Sequence, residues 1–123
     1  MIETEIIKTG IYLYQRKNTK LDIRKIQGLI EQGNIRWTAH GLARMQERDI
    51  RIADVKNCIN TGEIIEEYLD DYPYPSCLVF GYSVNNTILH TVVGMDETCV
   101  YVITSYYPNT IKFEDDLKTR RRC

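Results

Sequence analysis

Apolar residues recur at helical spacing in the first half of the chain and at alternate positions in the second half. The change comes after Gly62, where the period falls from 3.6 to two. The pattern therefore predicts a helical half over residues 18–62, an antiparallel sheet over residues 63–109 and a tail over residues 110–123. We expect residues 1–123 to form a single domain of α+β class, with the N-terminal helices packed on the sheet in two layers.

Three helices are expected in the first half. The first follows an N-cap at Asn18 or Thr19 and stops at Gly33, and its apolar positions are Leu21, Ile23, Ile26, Leu29 and Ile30. Thr38 suits the N-cap of the second, because its hydroxyl can accept a free backbone N–H. Asp49 suits its end, because Asp tolerates a left-handed turn. The third helix runs from about Arg51 to Asn60.

Four strands are expected in the second half, over residues 63–70, 77–83, 87–95 and 98–107. A proline-rich turn joins the first two, and Asn85-Asn86 and Asp96-Glu97 are interpreted as two-residue hairpin turns. This register places His90 opposite Gly81 and Ile103, on the more open face of the sheet. The more apolar face should pack against the helices, and it comprises Leu78, Phe80, Leu89, Val93, Val100, Val102, Thr104 and Tyr106. An arm or strand at residues 11–14 is also suggested.

Composition favours a small cytoplasmic protein without a cofactor. The chain has no apolar run long enough to cross a membrane, and its first residues do not form a secretory signal. Its four cysteines contain no closely spaced metal-ligand pair, so we expect no metal site. Formal net charge is −1, but residues 1–60 carry +4, residues 61–109 carry −7 and residues 110–123 carry +2. Positive potential could therefore gather where the helical half meets the tail, unless the acids are only solvated sheet positions.

The second helix carries the most informative group of side chains. His40, Arg44 and Arg48 are spaced four residues apart, which puts all three on nearly one helix face. Imidazole exchanges protons near neutral pH, and guanidinium presents a planar fork that matches phosphate. Together they are typical of a phosphodiester site. The alternative is a solvated helix face with a hydrogen-bonded histidine.

Two further groups are candidates. His90 lies in the third predicted strand, where a histidine is either catalytic or structural. The end of the fourth strand and the tail supply groups that can stack on bases and follow phosphates, namely Thr104, Tyr106, Tyr107 and Lys112. The alternative is that the tyrosines cover the core. Arg120–Arg122 are interpreted as a disordered tail.

The run Trp37-Thr38-x-His40-x-x-x-Arg44-Met45-x-x-Arg48-x-Ile50 resembles the opening motif of an uncharacterised bacterial family. Further collinear matches are Gly62-Glu63-Ile64-Ile65-Glu66, Pro73-x-Pro75-Ser76-Cys77-Leu78, Leu89-His90-x-Val92-Val93 and Ile103-Thr104-x-Tyr106-x-Pro108. Two residues depart from the family motif. Asp49 stands where a glycine is usual, and Arg51 stands where a serine-like helix cap is usual.

That family looks like the RelE/MqsR-type toxins of type II toxin–antitoxin systems. The resemblance implies a RelE/barnase-like fold of helices followed by a four-stranded antiparallel sheet meander. It also implies an mRNA endonuclease that acts on RNA, including ribosome-bound mRNA, and is silenced by a small zinc-finger antitoxin of the MqsA type.

These observations together predict a metal-independent endoribonuclease. Such an enzyme needs a base for the ribose 2′-hydroxyl, an acid for the leaving oxygen and cations for the developing charge. His40 is the expected acid or base, Arg44 and Arg48 hold the phosphate, and His90 or Tyr106 is the complementary group. The competing hypotheses are a non-catalytic protein-binding module and a degenerate toxin that keeps only the antitoxin interface.

Overall fold

The computed structural model describes residues 21–122, which form three helices and a five-stranded mixed sheet. The elements are α1 (Ile23–Glu31), β1 (Ile35–Trp37), α2 (Ala39–Glu47), α3 (Ile52–Asn60), β2 (Glu63–Tyr68), β3 (Ser76–Tyr82), β4 (Ile88–Met95) and β5 (Val100–Tyr106). This confirms the α+β class. The segment suggested at residues 11–14 lies outside the described residues.

The prediction of four antiparallel strands is wrong in its detail. The strand order is β1-β5-β4-β3-β2, and β1 pairs with β5 in parallel, with Ile35 opposite Val100 and Trp37 opposite Val102. A strand of three residues carries too little alternation to be recognised in a sequence. The four predicted strands do form an antiparallel meander, β2-β3-β4-β5, and β1 extends it at the β5 edge.

The helix ends are set by side-chain caps. Thr38 caps α2 as predicted, with its hydroxyl accepting the Gly41 N–H at 2.9 Å. The predicted cap of α1 is wrong: Asp22, and not Asn18 or Thr19, caps the helix by accepting the Arg24 N–H at 2.9 Å. In α3 the Asp54 carboxylate accepts the Arg51 N–H at 3.0 Å.

The core lies between the helices and one face of the sheet. It contains Ile26 and Ile30 of α1, Met45 of α2, Val55, Cys58 and Ile59 of α3, and Cys77, Val79, Leu89, Val93, Met95, Val100 and Val102 of the sheet. The predicted helix-facing set is therefore right for its valines and for Leu89. It is wrong for Leu78 and Phe80 of β3 and for Thr104 and Tyr106 of β5, which lie on the opposite face, where the Phe80 and Tyr106 rings are near His90.

The register differs from the prediction because the first turn is one residue longer than expected and the second turn lies one residue later, with the Asp96 N–H donating to the Cys99 carbonyl at 3.1 Å. His90 lies opposite Phe80 and Tyr106, rather than opposite Gly81 and Ile103. The first hairpin closes with the Ser83 N–H donating to the Thr87 carbonyl at 2.8 Å, so its loop has three residues. A bulge at residue 103 then shifts the pairing of β4 with β5 by one residue.

Residues 107–122 cross the face of the sheet that the helices leave free. The segment is irregular, with one isolated β-bridge between Phe113 and Arg120. Phe113 is buried against His90, with ring centroids 4.7 Å apart. Within residues 21–122, no helix is both long and apolar enough to cross a membrane.

Candidate functional site

A cavity of about 390 Å³ opens where the end of α2, the end of β5 and the segment 107–122 meet. We call it the basic cleft. Three cations and three aromatic residues contribute to its wall, namely Arg48, Lys112, Arg120, Tyr106, Tyr107 and Phe113. Four of these are predicted site residues: Arg48, Tyr106, Tyr107 and Lys112. The structure therefore brings together groups that stand up to 64 positions apart in the sequence.

Arg48 is held at the cleft by β5. It is the C-cap of α2, and its Nη1 donates to the Ser105 carbonyl at 2.8 Å and to the Thr104 hydroxyl at 3.3 Å. Thr104, predicted to bind RNA, thus positions Arg48. Within the described part of the chain, no carboxylate lies within ion-pair distance of Arg48 or Lys112. Both charges are therefore available to an anionic ligand.

The other two members of the predicted helix column lie outside the basic cleft. Arg44 donates to Glu47 at 2.9 Å, and both side chains are largely exposed. His40 is exposed in the first turn of α2. The three residues share the spacing that the sequence showed, but only Arg48 lines the cavity. The structure does not bring His40 together with His90, because His40 is exposed on α2 and His90 is buried on the sheet face that the helices leave free.

His90 lies behind Tyr106, beneath the segment 107–122. Its Nε2 is 2.7 Å from the Leu117 carbonyl oxygen, and its Nδ1 is 3.3 Å from the Tyr106 hydroxyl. Burial lowers the pKa of His90, and the opposing influence of the Leu117 carbonyl does not restore it. His90 is therefore neutral near pH 7. Burial likewise raises the pKa of the Tyr106 phenol.

Arg120 forms the far wall of the basic cleft. Its Nε and Nη2 each donate to the Glu66 carboxylate at 3.0 Å, and its guanidinium lies 4.7 Å from the centre of the Phe113 ring. The hydrogen bonds from Arg120 lower the pKa of Glu66. The interpretation of Arg120 as part of a disordered tail is wrong, because β2 carries its carboxylate partner.

Sequence reasoning missed Phe113, Leu117 and Glu66. The signal for the first two was weak but present: they are apolar residues four apart within a tail that is mostly charged. Glu66 had no signal, because its partner lies 54 positions away. Over residues 21–122, no group of three His, Cys, Asp or Glu side chains is placed to hold a metal ion.

Comparison with known proteins adds a family. A family profile described as a domain of unknown function, DUF4258, matches residues 37–107, which is more than half of the 123 residues. The matched range runs from the end of β1 to the residue after β5, and it includes Arg48, His90 and Tyr106. No curated protein and no solved structure matches the chain.

Proposed function

The chain belongs to the DUF4258 family, and we propose that it is a metal-independent endoribonuclease, the toxin component of a bacterial toxin–antitoxin pair. One observation carries the proposal: Arg48, Lys112 and Tyr106 line the same cavity, and neither cation has a carboxylate partner among the described residues. Two cations without carboxylate partners, placed beside a phenol, can stabilise the negative charge that develops on a phosphodiester in the transition state.

The substrate follows from the lining of the basic cleft. Arginine and lysine bind the phosphate of the RNA backbone, and an exposed tyrosine stacks on an unpaired base. Tyr107 is 40% exposed at the mouth of the cavity and is suited to that stacking. A cavity of about 390 Å³ is of the size that takes one nucleotide-sized group rather than a duplex. Single-stranded RNA is therefore the proposed substrate.

Proton transfer is assigned to Tyr106, because this residue lines the cleft and its hydroxyl is 3.3 Å from Nδ1 of His90. Arg48 is assigned to the scissile phosphate. His40 and Arg44 lie on the same helix two turns and one turn before Arg48, so we propose that they contact the flanking backbone. The phosphate-binding and proton-transfer groups are all side chains, so the proposed reaction needs no metal ion.

The partner is proposed on the resemblance to RelE/MqsR-type toxins. A small zinc-finger antitoxin would silence the enzyme, and ribosome-bound mRNA is one form of its substrate. An antitoxin that covers the basic cleft would need acidic side chains, because Arg48 and Lys112 carry unpaired positive charge within residues 21–122.

The test is cleavage of a labelled single-stranded RNA by the purified protein in the presence of a metal chelator. We expect products with a 2′,3′-cyclic phosphate and a 5′-hydroxyl. Tyr106→Phe should lower the rate by roughly 100-fold, which is the lower range for loss of a general base. Lys25→Ala on α1, away from the basic cleft, is the matched control. Absence of cleavage with naked RNA and with ribosome-bound mRNA would refute the enzyme.

A second candidate function is a protein-binding module, favoured by the outer edge of β2. Among the described strands β2 has one neighbour, β3, so its other edge is unpaired there. A groove of about 480 Å³ runs beside it and is lined by Leu21, Ile23, Ile64 and Ile65 among others. An exposed edge next to apolar side chains can accept a strand from a partner. Ile65→Lys should abolish partner capture and leave RNA cleavage unchanged if the two functions are separate.

A further inference from the structure

The buried imidazole of His90 has one defined proton position. A backbone carbonyl can only accept a hydrogen bond, so the Nε2 atom 2.7 Å from the Leu117 oxygen must carry the hydrogen. In a neutral imidazole the other nitrogen is then an acceptor. The Tyr106 hydroxyl, 3.3 Å from Nδ1, is therefore the donor of that second hydrogen bond. A hydroxyl that donates to His90 can still accept a hydrogen bond, so the phenol oxygen of Tyr106 remains available as an acceptor.

The carbonyl that sets this arrangement belongs to an unusual residue. Leu117 has φ of 58°, a left-handed conformation that costs a branched L-residue roughly 1–2 kcal/mol. The strain is held locally by the Leu117 N–H, which donates to the Glu114 carbonyl at 2.8 Å. The Asp116 carboxylate supports the turn on the other side by accepting the N–H groups of Lys118 and Thr119 at 2.9 Å each.

The turn is also fastened to the sheet at β2. Lys118 donates to Glu63 at 2.7 Å, and Arg120 donates to Glu66, so two ion pairs join the segment to β2. The rings of Phe113 and Phe80 both pack against the imidazole of His90. Glu66 and Arg120 are the charged groups that act on His90, and they are paired with each other. Their effects on the pKa of His90 therefore oppose each other.

We propose that the Leu117 carbonyl fixes the Nε2–H tautomer of His90, and that His90 in turn directs the Tyr106 hydrogen away from the basic cleft, so that Tyr106 acts as the general base for an RNA 2′-hydroxyl. His90 is a positioning residue in this arrangement, and it takes up the phenol proton while Tyr106 takes the substrate proton. The inference rests on the proposed ribonuclease function for its chemistry. The tautomer itself is independent of it.

The step balances without any added reagent. The 2′-hydroxyl proton moves to the Tyr106 oxygen as the phenol proton moves to His90 Nδ1. The 2′-oxygen forms a bond to phosphorus, and the bond from phosphorus to the 5′-oxygen breaks. The 5′-oxygen takes a proton from water, and the resulting hydroxide recovers the extra proton from His90 through Tyr106. The products are a 2′,3′-cyclic phosphate and a 5′-hydroxyl.

The tautomer is tested by nitrogen NMR on protein labelled with ¹⁵N-histidine. The chain has two histidines, so the exposed His40 serves as an internal reference. We expect His90 to show one protonated nitrogen, Nε2, and an acceptor Nδ1 whose shift moves in Tyr106→Phe. Leu117→Gly keeps the carbonyl and favours the left-handed conformation, so it should preserve the tautomer. Leu117→Pro cannot adopt that conformation and should lose it. An Nδ1–H tautomer or a mixture in the unmodified protein overturns the inference.

The relay is tested by His90→Gln. A glutamine can accept from Tyr106 and donate to the Leu117 carbonyl, but it cannot take up a proton. We expect RNA cleavage to fall by about 100-fold with RNA affinity within about twofold of the unmodified protein. A purely structural role for His90 predicts that Gln restores full cleavage, and that result overturns the relay. Lack of cleavage by a protein with the expected tautomer refutes the proposed function alone.

Discussion

The guanidinium of Arg48 donates to the Ser105 carbonyl at 2.8 Å, which ties the end of α2 to the last residues of the sheet before Tyr106. The bond crosses 57 positions of sequence and reaches a backbone atom, so it depends on the pairing of β5 and not on any side chain at position 105. Arg48 is therefore both a structural connection and the first cation of the basic cleft.

Replacement of Arg48 should separate these roles. Arg48→Lys retains the charge but loses the planar fork, and we expect RNA cleavage to fall by at least about tenfold with a small change in stability. Arg24→Lys makes the same exchange at an exposed position of α1 outside the basic cleft and should leave cleavage within about twofold. The measurement is the initial rate of RNA cleavage by each variant and by the unmodified protein, at two salt concentrations. Equal losses in the two variants would contradict the assignment of Arg48 to the cleft.

Gly41 should not tolerate a side chain. A Cβ there would lie 2.9 Å from the Ile103 carbonyl oxygen and 3.2 Å from that of Val102, both in the backbone of β5. Gly41→Ala should therefore destabilise the protein by about 1–3 kcal/mol, because α2 must move away from the strand. A Cβ added at Gly28 in α1 would have no neighbour within 4 Å, so Gly28→Ala should stabilise by about 0.5–1 kcal/mol. Urea unfolding of both variants checks the contrast.

Asp49 ends α2 in a left-handed conformation with φ of 57°. The Ile50 N–H donates to the Met45 carbonyl at 2.8 Å, and the Asp49 N–H donates to the Gln46 carbonyl at 3.3 Å. These two hydrogen bonds define a Schellman motif. Asp49→Gly should stabilise the protein by a few tenths of a kcal/mol up to about 1 kcal/mol. Asp49→Ala should destabilise it by about 1 kcal/mol. Thermal unfolding that places the two variants in the opposite order would contradict this account.

Asp54 should make stability depend on pH. Burial raises its pKa, but hydrogen bonds from the Arg51 and Val84 N–H groups outweigh burial and leave the pKa below the ordinary 3.8. A depressed folded-state pKa means that the stabilisation is complete above the unfolded pKa and is lost as pH falls through the folded one. Asp54→Asn should cost about 1–2 kcal/mol at pH 7.

The difference between Asp54→Asn and the unmodified protein should shrink as the pH falls below the ordinary pKa of 3.8. Denaturant unfolding at pH 7 and pH 3 measures it. Thr61→Ala is a useful control, because its hydroxyl also donates and accepts near α3 but carries no charge. A gap for Asp54→Asn that stays constant with pH would exclude the carboxylate charge as its cause.

The sequence was informative where the determinants are local. The cap at Thr38, the left-handed turn at Asp49 and the four antiparallel strands all depend on residues within a few positions of one another. It was uninformative where partners are distant. The parallel pairing of Ile35 with Val100, and the ion pair of Arg120 with Glu66, depend on how the halves of the chain meet.

The candidate site divides in the same way. The sequence predicted the helical spacing of His40, Arg44 and Arg48. It did not predict which of the three faces a cavity, because that depends on how α2 is rotated against β5. The first turn is one residue longer than expected, the second lies one residue later, and β5 bulges at residue 103, so the partners of His90 are Phe80 and Tyr106 rather than Gly81 and Ile103. Turn length is set by backbone conformations such as the positive φ of Asn86, which the asparagine pair allowed without specifying.

The parallel pairing of β1 with β5 has a kinetic consequence. The strands that meet there are separated by the whole of α2, α3 and three intervening strands. Contacts at that sequence distance form late, because a long loop must close before they contribute. Arg48 reaches its position only after β5 has docked beside β1 and α2. In a partly folded chain, Arg48 and Lys112 are therefore not yet brought together. Only the fully folded protein can bind a ligand in the basic cleft.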